Sequence, residues 1–325
     1  MKLSTAIQFN IKETALKELW VEKWRPKTAS EYVFADATQQ ELVESWIKNK
    51  YIPHILLSGS PGTGKTTLAK VLINELDVDE YDVMYANGSK EARKIEWVDK
   101  LISFCQTMPF GAFKVVMIDE ADYMNINSVQ PALRGLMEDY SQTVRFILTC
   151  NYPNKIMPAI HSRCEQGRIH IDKTDITEFT ARVATILVEE GIDFDLDTLD
   201  SYVKATYPDL RSCLNLTQRK SVSGTLAAPG EADAAVQDWR LDSVGLFKAG
   251  RIREARQLIC SQVATEDMDG MFRWMYDNLS IWSSTPEGQD EAIIAIRKGY
   301  VSHASCGNAE INVSATITEL CQIGI

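Results

Sequence analysis

The chain has 325 residues, of which 45% are hydrophobic and 24% are charged, and its formal net charge is −11. These values are typical of a soluble globular protein with two or three domains, and no apolar run approaches the ~20 residues of a membrane span. The acidic balance argues against a positively charged coat for nucleic acid over the whole surface, although it is compatible with a local basic strip.

Cysteine usage and the N-terminal segment indicate a cellular compartment. The seven cysteines are scattered singly without a CxxC pair, which argues against a structural zinc site and predicts free thiols in a reducing cytoplasm. Segment 1–20 contains acids and lacks the apolar core of a secretory signal, so we expect a cytoplasmic protein.

The first half of the chain alternates between strand and helix patterns. Five short apolar segments predict strands: HILLSG, DVMYANG, KVVMIDE, VRFILTCN and GRIHI. Helical patterns precede the first strand and separate most of the others: TQQELVESWIK, TTLAKVLINEL, IEWVDKLISFCQ and SVQPALRGLMEDY. Continuous apolar strands that alternate with helices predict an α/β domain, residues 1–170, with a parallel five-stranded sheet covered on both faces.

The second half of the chain has only helical periodicity. Two amphipathic helices and the start of a third predict a small helical domain at 171–222. The small and polar segment that follows, which contains Gly and Pro, predicts a linker at 223–236. Patterns such as RIREARQLI and EAIIAIRKGYV then predict an all-helical domain at 237–325.

The segment GSPGTGKTT, 59–67, matches the phosphate-loop pattern GxxxxGK[ST] and lies between a predicted strand and a predicted helix, as that motif requires. Its glycines allow backbone N–H groups to point at phosphate oxygens, next to the positive end of the helix. Lys65 would reach the β- and γ-phosphates, and the Thr66 hydroxyl would hold Mg²⁺. The predicted nucleotide-binding residues of the loop are Gly59, Ser60, Pro61, Gly62, Thr63, Gly64, Lys65, Thr66 and Thr67.

A pair of acids ends the third predicted strand, KVVMIDEADY. Asp119 can hold the Mg²⁺ shell, and Glu120 can orient and polarise an attacking water. The letters DEAD also occur in a class of helicases, but those have a second ATPase-like lobe, whereas this chain becomes helical after one.

Two further polar residues are candidates for sensing the nucleotide. Asn151 ends the fourth predicted strand, where it could touch the γ-phosphate; a turn cap before Pro153 explains it equally well on local sequence. Arg211 lies near the start of a helix in the small domain and could reach over the nucleotide, although a solvated arginine is the simpler local interpretation.

Taken together, these motifs resemble the AAA+ clamp-loader ATPases over nearly the whole chain. VEKWRPKTASEY, 21–32, is similar to the family's N-terminal VEKYRPK box, and QPALRGLMEDYS is similar to QNALRRTMEKYS. Among the branches, the resemblance is greatest to the large subunit of T-even-type bacteriophage loaders, through YANGSKEARKIEWV and SHASCGNAEINVSATITEL. The chain departs from the pattern at Trp24, where Tyr is usual, and in RGLMED, which puts a second arginine role there in doubt.

The resemblance implies roles for several residues. Trp24, Arg25 and Pro26 would line the adenine pocket, and Trp24 should still stack. Arg163, in SRC, would be an arginine finger that serves the ATP of a neighbouring subunit; by spacing alone it is a loop arginine. The core would be an AAA+ phosphate-loop domain, 171–222 its lid and 237–325 an oligomerisation collar, with ATP and Mg²⁺ as cofactors.

Two surface groups are candidates for contacts with other macromolecules. Lys90, Arg93, Lys94 and Lys100, predicted at the start of the helix after the second strand, would follow a DNA backbone; a solvated helix face is the alternative for each. Phe104, Met108 and Phe110 would dock on a sliding clamp, with core packing as the slightly preferred alternative.

The sequence therefore predicts a DNA-stimulated ATPase that opens a sliding clamp and loads it onto primer–template DNA in replication. The resemblance implies as partners the clamp, a loader small subunit, further copies of the chain in a pentameric spiral and primer–template DNA, with no membrane, in the host cytoplasm if the chain is viral. The alternatives are an AAA+ helicase or branch-migration motor, and a non-hydrolysing scaffold subunit.

Overall fold

A computed structural model describes residues 18–221, 223–228, 239–248, 251–262, 268–303, 306 and 309–323. Most of the predicted N-terminal segment 1–20 lies outside the described residues, as does the 229–236 part of the predicted linker.

The five predicted strands form one parallel sheet. They are β1 (Ile55–Gly59), β2 (Val83–Asn87), β3 (Lys114–Asp119), β4 (Val144–Cys150) and β5 (Gly167–Ile171), in the spatial order β2-β3-β4-β1-β5. All the strand pairs are parallel. This confirms the predicted α/β class, and the three central strands are nearly continuous in buried apolar residues because helices cover both faces.

Alternate residues of the strands enter two different cores. On one face, Ile55, Leu57 and Val115 pack with the helices α2 (Ala37–Lys48) and α3 (Lys65–Glu75). On the other face, Leu56 and Val116 pack with α4 (Glu96–Gln106), α5 (Val129–Asp139) and α6 (Pro158–Arg163). The strand ends between these cores therefore meet at one edge of the sheet, where the phosphate loop begins.

The remaining described helices share a third core. The predicted lid consists of α7 (Ile176–Glu189), α8 (Leu196–Thr206) and α9 (Leu210–Lys220). The C-terminal region contains α10 (Trp239–Lys248), α11 (Ile252–Gln262), α12 (Met268–Asp277), α13 (Pro286–His303) and α14 (Ala309–Ile323), and α1 (Trp20–Lys23) packs against α9. One apolar cluster runs from Phe179 in α7 to Ile317 in α14, so the lid and the C-terminal helices pack as one body.

The start of the predicted linker packs on the lid. Thr225 forms a parallel bridge with Asp193, Leu226 is buried, and the Tyr202 hydroxyl donates to the Ala227 carbonyl. None of the helices that the structure describes is long and apolar enough to cross a membrane.

Candidate nucleotide-binding site

The phosphate loop has the backbone conformation that its glycines permit. Gly59, Gly62 and Gly64 all have positive φ, at 139°, 75° and 90°. These angles are readily accessible only to glycine, and they turn successive N–H groups toward the mouth of the loop. Helix α3 begins at Lys65, immediately after Gly64, so its positive end faces the same space.

The Lys65 ammonium is folded into the loop that would hold the phosphates. Its Nζ donates to the carbonyl oxygens of Gly59 at 3.0 Å and Ser60 at 2.6 Å. Burial lowers the pKa of Lys65, and the nearby carboxylates of Asp119 and Asp122 act in the opposite direction. Two weak carbonyl acceptors can be exchanged for phosphate oxygens by a rotation of the side chain, so the lysine fits a phosphate ligand.

A hydroxyl and a carboxylate converge beside Lys65. Thr66 Oγ1 donates to Asp119 Oδ1 at 3.0 Å, and Thr149 Oγ1 donates to the same oxygen. In the described part of the chain, no three His, Cys, Asp or Glu side chains are grouped as a metal site. Thr66 and Asp119 supply two oxygen ligands, which fit Mg²⁺ when phosphate oxygens complete its shell, as in other phosphate-loop proteins.

Glu120 has a strained backbone that is held by hydrogen bonds. Its φ is 54°, in the left-handed region, which costs a non-glycine residue roughly 1–3 kcal/mol. Its N–H donates to Asp119 Oδ1 and Thr149 Oγ1, both at 3.2 Å. A Cβ atom at Gly88 would lie 2.2 Å from the Glu120 carbonyl oxygen, so only glycine fits opposite this turn.

The predicted polar residues from four distant segments line one cavity. It is bounded by the phosphate loop, by Asp119 and Glu120, by Asn151 at the end of β4, and by Arg211 in the first turn of α9. Arg211 comes from the lid, whereas the others belong to the sheet domain. We name this space the triphosphate cavity, and it lies between the sheet domain and the lid.

A second, mainly apolar cavity adjoins the first one and shares the loop and Arg211 with it. It is lined by the predicted residues Trp24, Arg25 and Pro26. The Trp24 indole N–H donates to Glu190 of the lid at 2.6 Å, and its carbonyl accepts from Arg182 at 3.0 Å. This geometry fits a nucleobase beside the phosphates.

Several residues of the base cavity were not predicted from the sequence. They are Val21, Tyr32, Val33, Thr174, Arg182, Pro208, Leu210 and Leu214. Most belong to the lid or to the segment before it, so their place depends on how the lid packs on the sheet domain. Thr149 was missed as well, although it precedes Asn151 by two residues and so lies on the same face of β4.

The lid touches the phosphate loop directly. Asp209 caps α9 by accepting from the Ser212 N–H at 2.9 Å. A Cβ atom at Gly62 would lie 1.9 Å from Asp209 Oδ1, so the close approach requires glycine. The first lid residue of α9 is thus preceded by a carboxylate that packs on the loop itself.

Arg163 lies away from this nucleotide site. It is the last residue of α6, and its guanidinium donates to the Ala159 carbonyl at 2.9 Å and to Glu138 of α5 at 2.5 Å. Together with Tyr51, His54 and Arg145 it lines a different, open cavity. Burial raises the pKa of the neighbouring Cys164 thiol to about 12, so Cys164 is a core residue that anchors the end of the helix.

Comparison with known proteins places the site in a family. The ATPase family associated with various cellular activities (AAA) matches residues 55–172, which include the sheet and the phosphate loop. A replication factor C small subunit from Staphylothermus marinus is 31% identical, with 96% of this chain and 97% of that protein covered. The chain belongs to the replication factor C small subunit family.

Other members of the family match over shorter lengths. The replication factor C small subunit of Aeropyrum pernix is 36% identical over 74% of this chain and 71% of its own length. That of Sulfurisphaera tokodaii is 38% identical, and the chain spans 63% of that relative. The chain is thus an AAA ATPase by family.

Solved structures support the fold alone. The Thermotoga maritima RuvB Holliday junction branch migration motor superposes with a TM-score of 0.54 at 19% identity, covering 70% of this chain and 78% of that one. A point variant of the same motor gives a TM-score of 0.55 at 18% identity, covering 72% of this chain and 79% of the variant. At such identities the likeness concerns the AAA+ architecture and not the activity.

Three of the four basic residues predicted at the start of a helix lie before that helix in the structure. Helix α4 begins at Glu96, so Lys90, Arg93 and Lys94 precede it, and only Lys100 is helical. The prediction placed all four at the start of the helix; Asn87 instead accepts from Ser89 and forms a turn there. All four basic side chains are exposed.

The predicted apolar group divides into two kinds of residue. Phe104 is partly buried, packs against the core and lies 4.4 Å from the Lys114 ammonium. Met108 and Phe110 are 79% and 80% exposed, and the Phe110 ring lies 6.1 Å from that of exposed Tyr81. Core packing therefore accounts for Phe104 and leaves Met108 and Phe110 on the surface.

Proposed function

We propose that the chain is an ATP-driven subunit of a sliding-clamp loader, which opens the clamp and delivers it to primer–template DNA. One observation carries the proposal. The triphosphate cavity is built from both the sheet domain and the lid, while the candidate finger Arg163 faces away from it. Such a chain can bind ATP alone and hydrolyse it only in an assembly. Membership of the replication factor C family supports the same function.

The phosphate loop would bind ATP through its backbone N–H groups and through Lys65. On binding, the ammonium leaves the carbonyls of Gly59 and Ser60 and contacts the β- and γ-phosphates. Mg²⁺, held by Thr66 and Asp119 together with phosphate oxygens, would neutralise charge that develops on the phosphoryl group. The base would enter the cavity beside Trp24.

Glu120 would act as the group that orients and polarises the attacking water. It lines the cavity next to the loop, and its backbone is held in a strained turn that packs against Gly88. Asn151, at the tip of the adjacent strand, would contact the γ-phosphate or this water. Arg211 would contact the phosphates from the lid, so the angle between lid and sheet domain would follow the state of the nucleotide.

Arg163 would complete the site of a neighbouring copy. Charge on the γ-phosphoryl oxygens must be neutralised in the transition state, and an arginine inserted in trans can contribute ~10³–10⁵ in rate. Its guanidinium has five N–H donors, and the contacts to Ala159 and Glu138 use only part of them. The proposed trans role makes hydrolysis depend on assembly, with the helices beyond residue 236 as the collar that holds a pentameric spiral.

The exposed groups around α4 would provide the remaining contacts. Lys90, Arg93, Lys94 and Lys100 would neutralise DNA phosphates without reading bases, which suits loading at any junction. Met108 and Phe110 would dock on the clamp, because large exposed apolar side chains are suited to an interface, and exposed Tyr81 lies beside Phe110.

A steady-state ATPase assay with and without primer–template DNA and clamp tests the proposal. The expected result is hydrolysis stimulated by DNA, further increased by the clamp, and no unwinding. Strand separation without dependence on a clamp would favour a helicase or branch-migration motor, and an absence of hydrolysis would favour a scaffold subunit.

The branch of the family also belongs to the proposal. The relatives above are replication factor C small subunits, whereas the segment 85–98 and the tail 302–320 resemble the large subunit of T-even-type bacteriophage loaders. We assign the chain to that large subunit, acting with a loader small subunit. Co-purification with the products of neighbouring replication genes tests this assignment, and a set of partners unlike a phage loader would overturn it.

A further inference from the structure

Two tyrosines and a lysine form an exposed cluster just after the ends of strands β3 and β4. Tyr123 and Tyr152 are 46% and 51% exposed. The Lys155 ammonium lies 4.4 Å from the centroid of the Tyr152 ring and 5.6 Å from that of Tyr123. Aromatic faces beside a cation at an exposed position are the elements with which proteins bind unpaired nucleotides.

The backbone holds this Tyr123–Tyr152–Lys155 cluster in a fixed place. The Tyr123 N–H donates to the Glu120 carbonyl at 3.0 Å, and the Tyr152 N–H donates to the buried Asp122 carboxylate at 3.2 Å. The Lys155 N–H donates to the Tyr152 carbonyl at 3.0 Å. The backbone of both tyrosines is therefore held before any ligand binds, which lowers the entropic cost of ordering this segment on binding.

The cluster lies next to the basic turn that contains Lys90, Arg93 and Lys94. The Gly88 N–H donates to the Asp119 carbonyl at 2.7 Å, and the position of a Gly88 Cβ is 3.2 Å from the Ala121 Cα. Gly88, which leads into the basic turn, therefore packs against the Glu120–Ala121 turn, which leads into Tyr123. Glu91 is the acid within the basic turn, and its carboxylate accepts from the Asn87 N–H.

We propose that the Tyr123–Tyr152–Lys155 cluster binds single-stranded DNA, with bases on the tyrosine rings and a phosphate at Lys155. This inference rests on the proposed DNA-dependent function and adds a second kind of DNA contact to it. The basic turn would hold duplex phosphates, and the cluster would hold the unpaired template strand that continues from the duplex.

The chemistry favours a single strand over the alternatives. Inside a duplex, both faces of a base are covered by its stacked neighbours, so exposed tyrosine faces gain little there, whereas every unpaired base offers a π face. The exposed cations Lys155, in the cluster, and Arg93 and Lys94, in the basic turn, attract a phosphate backbone and repel a basic protein surface. Stacking also tolerates any sequence, as loading at arbitrary junctions requires.

Binding assays on the full-length chain test the proposal, with a hairpin duplex that has a 5′ thymidine overhang and the same hairpin with a blunt end. Tyr123→Ala and Tyr152→Ala should each weaken binding of the overhang hairpin about 5- to 100-fold and leave the blunt hairpin unchanged. Phe at either position keeps the ring and should restore affinity to within about twofold of wild type. Tyr85→Ala removes a tyrosine of similar exposure, 57%, from the edge strand β2 and should change neither affinity.

A variant of the basic turn distinguishes a failure of this inference from a failure of the proposed function. Arg93→Ala with Lys94→Ala should weaken both hairpins and reduce the salt slope by roughly one unit for each phosphate that is no longer neutralised. If that variant binds duplex like wild type, the proposed DNA surface is wrong. If duplex binding behaves as expected but the alanine variants of the tyrosines bind the overhang normally, only the single-strand site is wrong. Loss of self-association with normal DNA binding would assign the cluster to a second copy and overturn the proposal.

Discussion

The triphosphate cavity and the surface around Arg163 both present arginine beside a carboxylate, but only the cavity is enclosed by its own chain. In the cavity, the loop, Asp119 and Arg211 converge from the sheet domain and the lid. At the other surface, Arg163 is held by Glu138 and Ala159, and the space in front of it is open. Under the proposed function, this difference means that ATP binding would depend on the first surface, whereas hydrolysis would also require the second surface in contact with a neighbour.

The largest effect should come from removing the guanidinium at the open surface. Arg163→Ala should bind ATP normally and hydrolyse it ~10³–10⁵-fold more slowly, since only transition-state charge loses its partner. Nucleotide titration and single-turnover hydrolysis measure the two properties. Arg168→Ala, an exposed arginine five residues further on in β5, is the matched control and should hydrolyse like wild type. Weakened ATP binding by Arg163→Ala would show that Arg163 also serves ATP binding, and the two surfaces would then not differ in role.

Within the cavity, Glu120→Gln should keep ATP binding and slow hydrolysis by ~10²–10⁴, because it removes the proton acceptor and preserves shape. Lys65→Ala should instead lower ATP affinity, since it removes a direct phosphate contact. Fluorescent-nucleotide binding and phosphate release distinguish the two outcomes. Near wild-type turnover by Glu120→Gln would show that another base is at work.

Gly88→Ala should test the strained turn that directs Glu120. The added Cβ would lie 2.2 Å from the Glu120 carbonyl oxygen, so the turn must shift, at a cost of about 1–3 kcal/mol in the free energy of unfolding. Turnover should fall with it, while ATP binding persists. Gly135→Ala is a matched control, because nothing lies within 4 Å of its Cβ position, and it should stabilise α5 by up to about 1 kcal/mol. Equal turnover in both variants would contradict the account of the turn.

A smaller effect on stability, confined to acid pH, is expected from His54, which lines the open cavity beside Arg163. His54 accepts from the Phe146 N–H and bonds the Met137 carbonyl, and burial lowers its pKa to about 4. The unfolded chain, with an ordinary histidine pKa of ~6.5, binds this proton more readily. His54 therefore contributes stability above pH ~6.5 that is lost as the pH falls toward 4, at most about 3 kcal/mol. Urea unfolding across this range should show a smaller loss for His54→Gln, and an identical pH profile would overturn this assignment.

The same contrast separates what the sequence could predict from what it could not. Strands, loop and acid pair follow from local patterns, since an apolar run must be buried and polar residues at its carboxyl end meet those of its neighbours. The residues Thr174, Arg182 and Leu214 of the base cavity come from the lid and the segment before it, and tertiary packing alone brings them to the loop. The same holds for Glu138 at Arg163, because 25 residues separate them. The pattern IEWVDKLISFCQ predicted α4 to within one residue of its start, but Lys90, Arg93 and Lys94 lie in the turn before the helix, around a short 3-10 segment at Glu91–Arg93.

A mixing experiment tests most directly whether Arg163 acts on a neighbour. Arg163→Ala has an intact Glu120, and Glu120→Gln has an intact Arg163, so a mixed assembly contains interfaces at which a good cavity faces a good finger. After light scattering has established that the variants co-assemble, DNA-stimulated hydrolysis is measured for each variant alone and for the mixture. The trans account predicts that the mixture regains hydrolysis that neither variant has alone. If the mixture stays as inactive as its components, Arg163 is not a trans finger, and the claim that hydrolysis depends on a neighbour is wrong.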